Sequence, residues 1–308
     1  MYLQSLICTL AQGSVFEEAS NILKKILNLD VSAKQFQRVS EWYGAQLDPI
    51  IEANHVEYIP QLVHKKDRDE YTYVMLDGCM IFTRSDEWKE NKLARIFHES
   101  KNVEIQKKRN EIIDTVYVSH LGSIDAFLPK LERHISLVKG RKVFIADGAK
   151  WIWNWVEDNY PGSIQIVDYY HAVEKLEDLA KHHFIESIKR KEWLEKQKQL
   201  LLNDQVFEVI QNIQGIKAKI DKAIAGKQSA QRYFIEHEDR MMYKTYREKG
   251  LLIGSGPIEA THRNVIQHRM KLSGQKWSID GANSIANLRC YHKSNAWSII
   301  DKLIKLAA

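Results

Sequence analysis

The chain has 308 residues, 44% hydrophobic and 28% charged, and its 45 Lys and Arg against 40 Asp and Glu give a formal net charge of +5. That is an ordinary globular composition. It excludes a disordered or collagen-like chain and leans mildly toward polyanionic partners. Three cysteines, Cys8, Cys79 and Cys290, lie far apart with no CxxC, which argues against a disulfide framework and against a structural zinc site.

The first ten residues, MYLQSLICTL, are apolar but have no basic segment before them and no small-residue cleavage site, so they read as the start of a helix. No apolar run reaches the roughly 18–20 residues of a membrane span, and the expected location is the cytoplasm, associated with the nucleoid. Residues 1–65 form an N-terminal helical region by pattern. Ala19, Ile22, Leu23 and Ile26 recur at helical spacing, the pattern breaks at Asn28-Leu29-Asp30, and Ser32 is placed to cap a second helix through Phe36, Val39 and Trp42. Two readings stay open. The pair is a helix-turn-helix whose Lys34, Gln35, Gln37 and Arg38 meet DNA, or it is a helical hairpin packed on the next domain.

Residues 71–83 carry the strongest strand signal, with Tyr71, Tyr73, Val74, Ile81 and Phe82 flanking Asp77-Gly78. Further strands are expected at Leu93–His98 and Ile112–Ser119. A helix capped by Ser123 follows over Ile124–Leu137. A strand over Lys142–Ala146 then runs into a tryptophan-rich helix, Trp151–Val156, and a short strand over Ser163–Val167 ends at Asp168-Tyr169-Tyr170-His171. Three strands, a helix, a strand, a helix and a strand suit a mixed five-stranded α/β sheet with flanking helices. On this reading residues 66–171 are the first part of a catalytic core, 172–249 an all-helical insertion and 250–308 the closing part of the core.

Three carboxylates stand in short glycine-marked contexts: Asp77 in YVMLDGCMIF, Asp147 in KVFIADGAKWIW and Glu259 in LIGSGPIEATHR. Carboxylates from separate elements can hold two divalent ions, and two such ions drive phosphodiester chemistry. Each also has a structural reading. Asp77-Gly78 is a strong hairpin signal, Asp147 can cap the following helix, and Glu259 falls at the third helical position after Gly256 and Pro257, where a carboxylate meets the helix dipole. Asp168 and His171, at i and i+3, form an accessory pair that either supports the metal site or caps a helix. Cations at His262-Arg263, His268-Arg269 and Lys271, followed by Lys276 and Trp277, suit a phosphate backbone, with Trp277 as a stacking ring for a base. The same run also reads as a solvated helix face with a core tryptophan.

The segments LDG, IADGAKWIW, DYYHAVEKL, GSGPIEATHRNVIQHRMKLSGQKWS and GANSIANLR resemble the DDE transposases of bacterial insertion sequences, the ISKra and ISLre groups in particular, over residues 15 to about 295. The resemblance implies a ribonuclease H-like core interrupted by a helical insertion before the glutamate. It makes Asp77, Asp147 and Glu259 the catalytic and metal-binding triad, with two Mg²⁺ or Mn²⁺ ions, and it aligns Asp168 and His171 with a D-x-x-H element. The implied partner is double-stranded DNA, at the element ends and the target, bound by a homodimer or higher oligomer; Arg263, Arg269, Lys271, Lys276, Trp277, Lys34 and Arg38 are the DNA-binding candidates. Family members commonly carry more chain at the N-terminus. Two alternatives therefore stand beside the transposase: a truncated or domesticated copy that binds DNA without cutting, and a ribonuclease H-like nuclease that cuts without joining.

Overall fold

The amphipathic periodicity of the N-terminal region becomes three helices, α1 (Tyr2–Gly13), α2 (Phe16–Leu27) and α3 (Ala33–Glu52), in a computed structural model that describes residues 2–52, 70–107, 109–217 and 221–307. Asn28 ends α2 in a left-handed conformation, and the Ser32 hydroxyl accepts from Gln35 N at 3.3 Å to start α3, as expected of a cap. Ile7, Ala11, Ala19, Leu23 and Phe36 form the small core these helices share. The expected boundary at residues 65 and 66 lies outside the described residues.

The chain continues through β1 (Tyr71–Phe82), β2 (Trp88–His98), β3 (Asn102–Gln106), β4 (Arg109–Ile112), β5 (Val116–Leu121) and α4 (Ile124–Ser136). Next come β6 (Arg141–Ala146), α5 (Lys150–Asn159) and β7 (Ile164–Val167). The helices α6 (Tyr169–His183), α7 (Ser187–Leu201), α8 (Val206–Gln214), α9 (Asp221–Glu236) and α10 (Tyr243–Glu248) follow. After α11 (Gly256–Thr261) come a π-helical turn over His262–Gln267, α12 (His268–Met270), α13 (Ile279–Lys293) and α14 (Trp297–Leu306). The result is an α/β fold with a mixed five-stranded sheet and flanking helices. Among the described residues no helix is long and apolar enough to cross a membrane.

Two compact units divide the chain: Met1–Arg141 with Pro257–Ala308, and Lys142–Gly256. In the first unit β5, β2 and β1 are neighbours and antiparallel, and β1 is in register with β2 from Thr72 opposite His98 to Phe82 opposite Trp88. Residues 72–76 of β1 are buried without alternation, which marks a strand covered on both faces. From Asp77 onward the strand alternates and emerges toward solvent. The strand expected over Ile112–Ser119 is split, because Arg109–Ile112 pairs with β3 in a separate two-stranded hairpin and the sheet strand begins only at Val116. β-formers on both sides of the lone Asp114 hid the break at Ile113–Thr115. Ser123 caps α4 as expected, accepting from Ala126 N at 3.3 Å.

A buried polar network ties this unit together. Lys130 of α4 donates to Asp48 Oδ2 of α3 at 2.9 Å, to Ser119 O of β5 at 3.1 Å and to Asn287 Oδ1 of α13 at 2.5 Å. All three ammonium protons are satisfied, the condition for a buried lysine to be tolerated. In the second unit β6 and β7 are parallel, from Val143 opposite Ile164 to Ala146 opposite Val167. That register puts Asp147 and Asp168 side by side at the C-terminal ends of their strands, where open sheets bind ligands.

Candidate active site

Asp77 sits inside β1 opposite Leu93, so the hairpin reading of Asp77-Gly78 falls. The turn lies further on, where Thr83 N donates to Glu87 O at 2.5 Å and Glu87 takes a φ of 51°. Asp77 and Cys79 share a strand face, because side chains alternate. The group that meets them is His262, from the π-helical turn. Its Nε2 lies 3.2 Å from Asp77 Oδ2, and the imidazole is 5% exposed. The contact is an ion pair more than an aligned hydrogen bond, since neither ring nitrogen has a well-directed partner. Burial opposes the charge on His262, but the Asp77 and Cys79 side chains outweigh it and raise its pKa to about 9. At neutral pH it is an imidazolium against a carboxylate.

Glu259 lies exposed in the first turn of α11, and the segment that carries it is fastened to the sheet of the first unit on both sides. Before it, Arg95 of β2 donates from Nη1 to Pro257 O at 2.9 Å. After it, His262 meets Asp77. Arg95 is itself held by Thr115 Oγ1 at 3.2 Å and lies over the rings of Phe97 and Tyr117. The π-helical turn leaves carbonyls that a regular helix would satisfy, and Arg289 of α13 takes them. It donates to Val265 O, and to Asn264 O at 2.6 Å, while also reaching Gln12 O of α1. Such single π turns commonly sit at functional positions.

In the second unit Asp147 is half-buried at the end of β6. It does not cap α5, whose N-cap is Ala149; its Oδ1 accepts from Ala149 N at 2.9 Å, and its carbonyl accepts from Trp153 Nε1 at 2.7 Å. Tyr233 of α9 lies over the turn at Gly148. Its hydroxyl is buried with no hydrogen-bond partner, and burial, then Asp147, Asp168 and Glu174, push its pKa far up. Asp168 is fully buried, and its contacts are those of a structural residue. It accepts from Tyr170 N at 2.5 Å and His171 N at 3.0 Å, capping α6, while its other oxygen accepts from Ser255 N. It thereby sets the Gly254–Gly256 loop that leads into α11. His171 points elsewhere, with Nδ1 3.1 Å from the exposed Glu174.

Of the basic candidates, Lys34, Arg38, Arg263, Lys271 and Lys276 are exposed. Arg269 and Trp277 are buried at 1% and 6% exposure. The Arg269 guanidinium lies against the rings of both Phe16 and Trp277, with centroid distances of 4.8 and 5.1 Å, and Trp277 Nε1 donates to Met270 O at 3.0 Å. These two pack the first unit. Residues the sequence did not single out include Arg95, Tyr233 and Trp88. A charged residue inside the apolar run LARIFH was a usable signal for Arg95; nothing local marked the other two. Carboxylate oxygens are the right donors for hard divalent ions, but among the described residues no group of three or more His, Cys, Asp or Glu is gathered to hold a metal.

Neither a family model nor a curated protein matches the chain. Among solved structures it is similar to the Drosophila P element transposase strand transfer complex, at 9% identity over 98% of this chain and 79% of that chain, with a TM-score of 0.30. A likeness that low carries no argument about fold or function.

Proposed function

We propose that the protein is a DDE transposase of the insertion-sequence type, which cuts DNA strands at element ends and joins them to a target. The observation that carries the reading is the double fastening of the Glu259 segment: Arg95 holds Pro257 and Asp77 holds His262, which commits β1 and α11 to one region of the first unit. A helix cap alone requires neither contact. The sequence contexts of Asp77, Asp147 and Glu259 supply the rest of the support.

On this reading Asp77, Asp147 and Glu259 would hold Mg²⁺ or Mn²⁺, two ions, which when bound supply Lewis-acid stabilisation to the attacking and leaving oxygens of a phosphodiester. His262 keeps the Asp77 carboxylate oriented and charge-compensated. Asp168 acts by positioning the loop before Glu259. Lys34, Arg38, Arg263, Lys271 and Lys276 place positive charge on the surface for phosphates of double-stranded DNA, which the protein engages as a dimer or larger assembly.

The test is incubation with the inverted repeats flanking the native locus, with Mg²⁺ or with a chelator, scoring 3′-end cleavage and joining. Asp77→Ala, Asp147→Ala and Glu259→Ala are each expected to lower both products by at least about a thousandfold with DNA binding retained, the scale on which losing a main catalytic interaction acts. Wild-type-like activity in any one of them removes that residue from the site. Cleavage without joining identifies a nuclease instead.

A further inference from the structure

The sequence offers Trp277 as a ring for a base, and the structure buries it. Another tryptophan is left open. Trp88, the first residue of β2, is 56% exposed, faces Phe82 across the β1–β2 pair and meets its ring edge-on at 5.3 Å. A large indole in water with one side supported is an unusual use of a tryptophan.

Beside it is a cleft of about 310 Å³ in the first unit. Met270 and Leu272 give it apolar walls, and Lys271 and Lys276 stand on it. The Lys276 ammonium lies 5.5 Å from the centre of the Phe82 ring. No residue lining the cleft is acidic. The loop that forms it is held in place and not draped: Arg84 N donates to Trp277 O at 2.8 Å and Trp277 N to Phe82 O at 3.2 Å. Buried Trp277 is therefore the anchor, and exposed Trp88 the platform.

We infer that this cleft takes an unpaired nucleobase of a DNA strand, stacked on Trp88, with the phosphates on either side of that base drawn to Lys271 and Lys276. The inference rests on the DNA-processing reading and adds to it a site for a single-stranded segment. The chemistry selects the ligand. A base has a flat apolar face for the indole and polar edges for Gln275 and Ser273, and its flanking charges are negative, which suits the two lysines of the lining. A cleft of this size holds about one nucleotide and no duplex.

The full chain is titrated with oligothymidylate, with an abasic oligonucleotide of the same length and with a duplex, following tryptophan quenching and affinity. Oligothymidylate is expected to bind more tightly than the abasic strand. Trp88→Ala should weaken oligothymidylate binding by roughly tenfold and leave the abasic strand unchanged, while Trp88→Phe restores part of the loss. Lys271→Gln with Lys276→Gln should weaken both strands alike and flatten the salt dependence. Far-ultraviolet circular dichroism and Tm show that each variant is folded. Equal affinity for base-bearing and abasic strands, or no effect of Trp88→Ala, overturns the inference and leaves the DNA reading standing. No binding to any of the three DNAs overturns both.

Discussion

The two Asp-Gly pairs look alike in sequence and are supported in opposite ways. In the first unit Asp77-Gly78 lies within a strand, at the point where β1 leaves the core, and a buried imidazolium faces the carboxylate. In the second unit Asp147-Gly148 lies beyond a strand end, where backbone N–H groups and a tyrosine ring shape the turn. The first aspartate faces a charged partner; the second accepts a backbone hydrogen bond, and close packing falls on the glycine after it. The same dipeptide serves both, since a carboxylate beside a residue without Cβ suits a strand facing a charged partner and a turn pressed by an aromatic ring alike.

The largest expected effect concerns charge. Because the folded pKa of His262 is about 9, above the 6.5 of an unperturbed histidine, its stabilisation is complete below about pH 6.5 and is lost as the pH rises through 9. In metal-free buffer the loss should be on the order of 3 kcal/mol by denaturant midpoint. His262→Gln should abolish this alkaline slope. It should leave the acid slope of His134, whose burial lowers its pKa to about 4, so that stability falls as pH drops from 6.5 toward 4. An unchanged alkaline slope in His262→Gln would end the claim that charge holds Asp77.

Packing gives the next contrast. A methyl at Gly148 would enter the Tyr233 ring and crowd His237, and Gly148→Ala should cost about 1–3 kcal/mol by thermal or urea melts. A methyl at Gly78 meets only the Glu90 side chain, 46% exposed and held by one ion pair to Lys92, which can shift more readily than a packed ring, so Gly78→Ala should stay within about 1 kcal/mol. Similar costs at both positions would erase the distinction. The smallest effect is expected for Tyr233→Phe. Its buried hydroxyl has no hydrogen-bond partner, so removing it should be neutral or stabilise by up to about 1 kcal/mol. A clear loss of stability would mean that the hydroxyl does bond, and that the second unit relies on more than packing.

Much of the fold could be read locally. The apolar run around Val74 gave β1, Ser32 and Ser123 announced their caps, and the run before Asp147 gave β6, because strand patterning and capping depend on residues a few positions apart. The hairpin of β3 and β4 could not be read, since β-formers stand on both sides of the lone Asp114 where the chain changes sheets. The site divides the same way. Asp77, Asp147 and Glu259 stand out by their glycine-marked contexts. Their supports, Arg95 on Pro257 and Arg289 on the π-helical turn, join positions far apart in the chain and leave no local trace.

By itself, then, the sequence determined β1 and β6 and the helix starts at Ser32 and Ser123, and it marked three acidic residues, since each rests on side-chain periodicity, turn chemistry or a short motif. Only the tertiary structure decided which surroundings each acid has: an imidazolium for Asp77, a tyrosine ring for the turn after Asp147, and a doubly fastened helix for Glu259. It also decided which of Trp277 and Trp88 faces solvent. The sequence marked Trp277 and not Trp88 as an open ring, and burial, which depends on everything packed around a side chain, hides the first and leaves the second exposed.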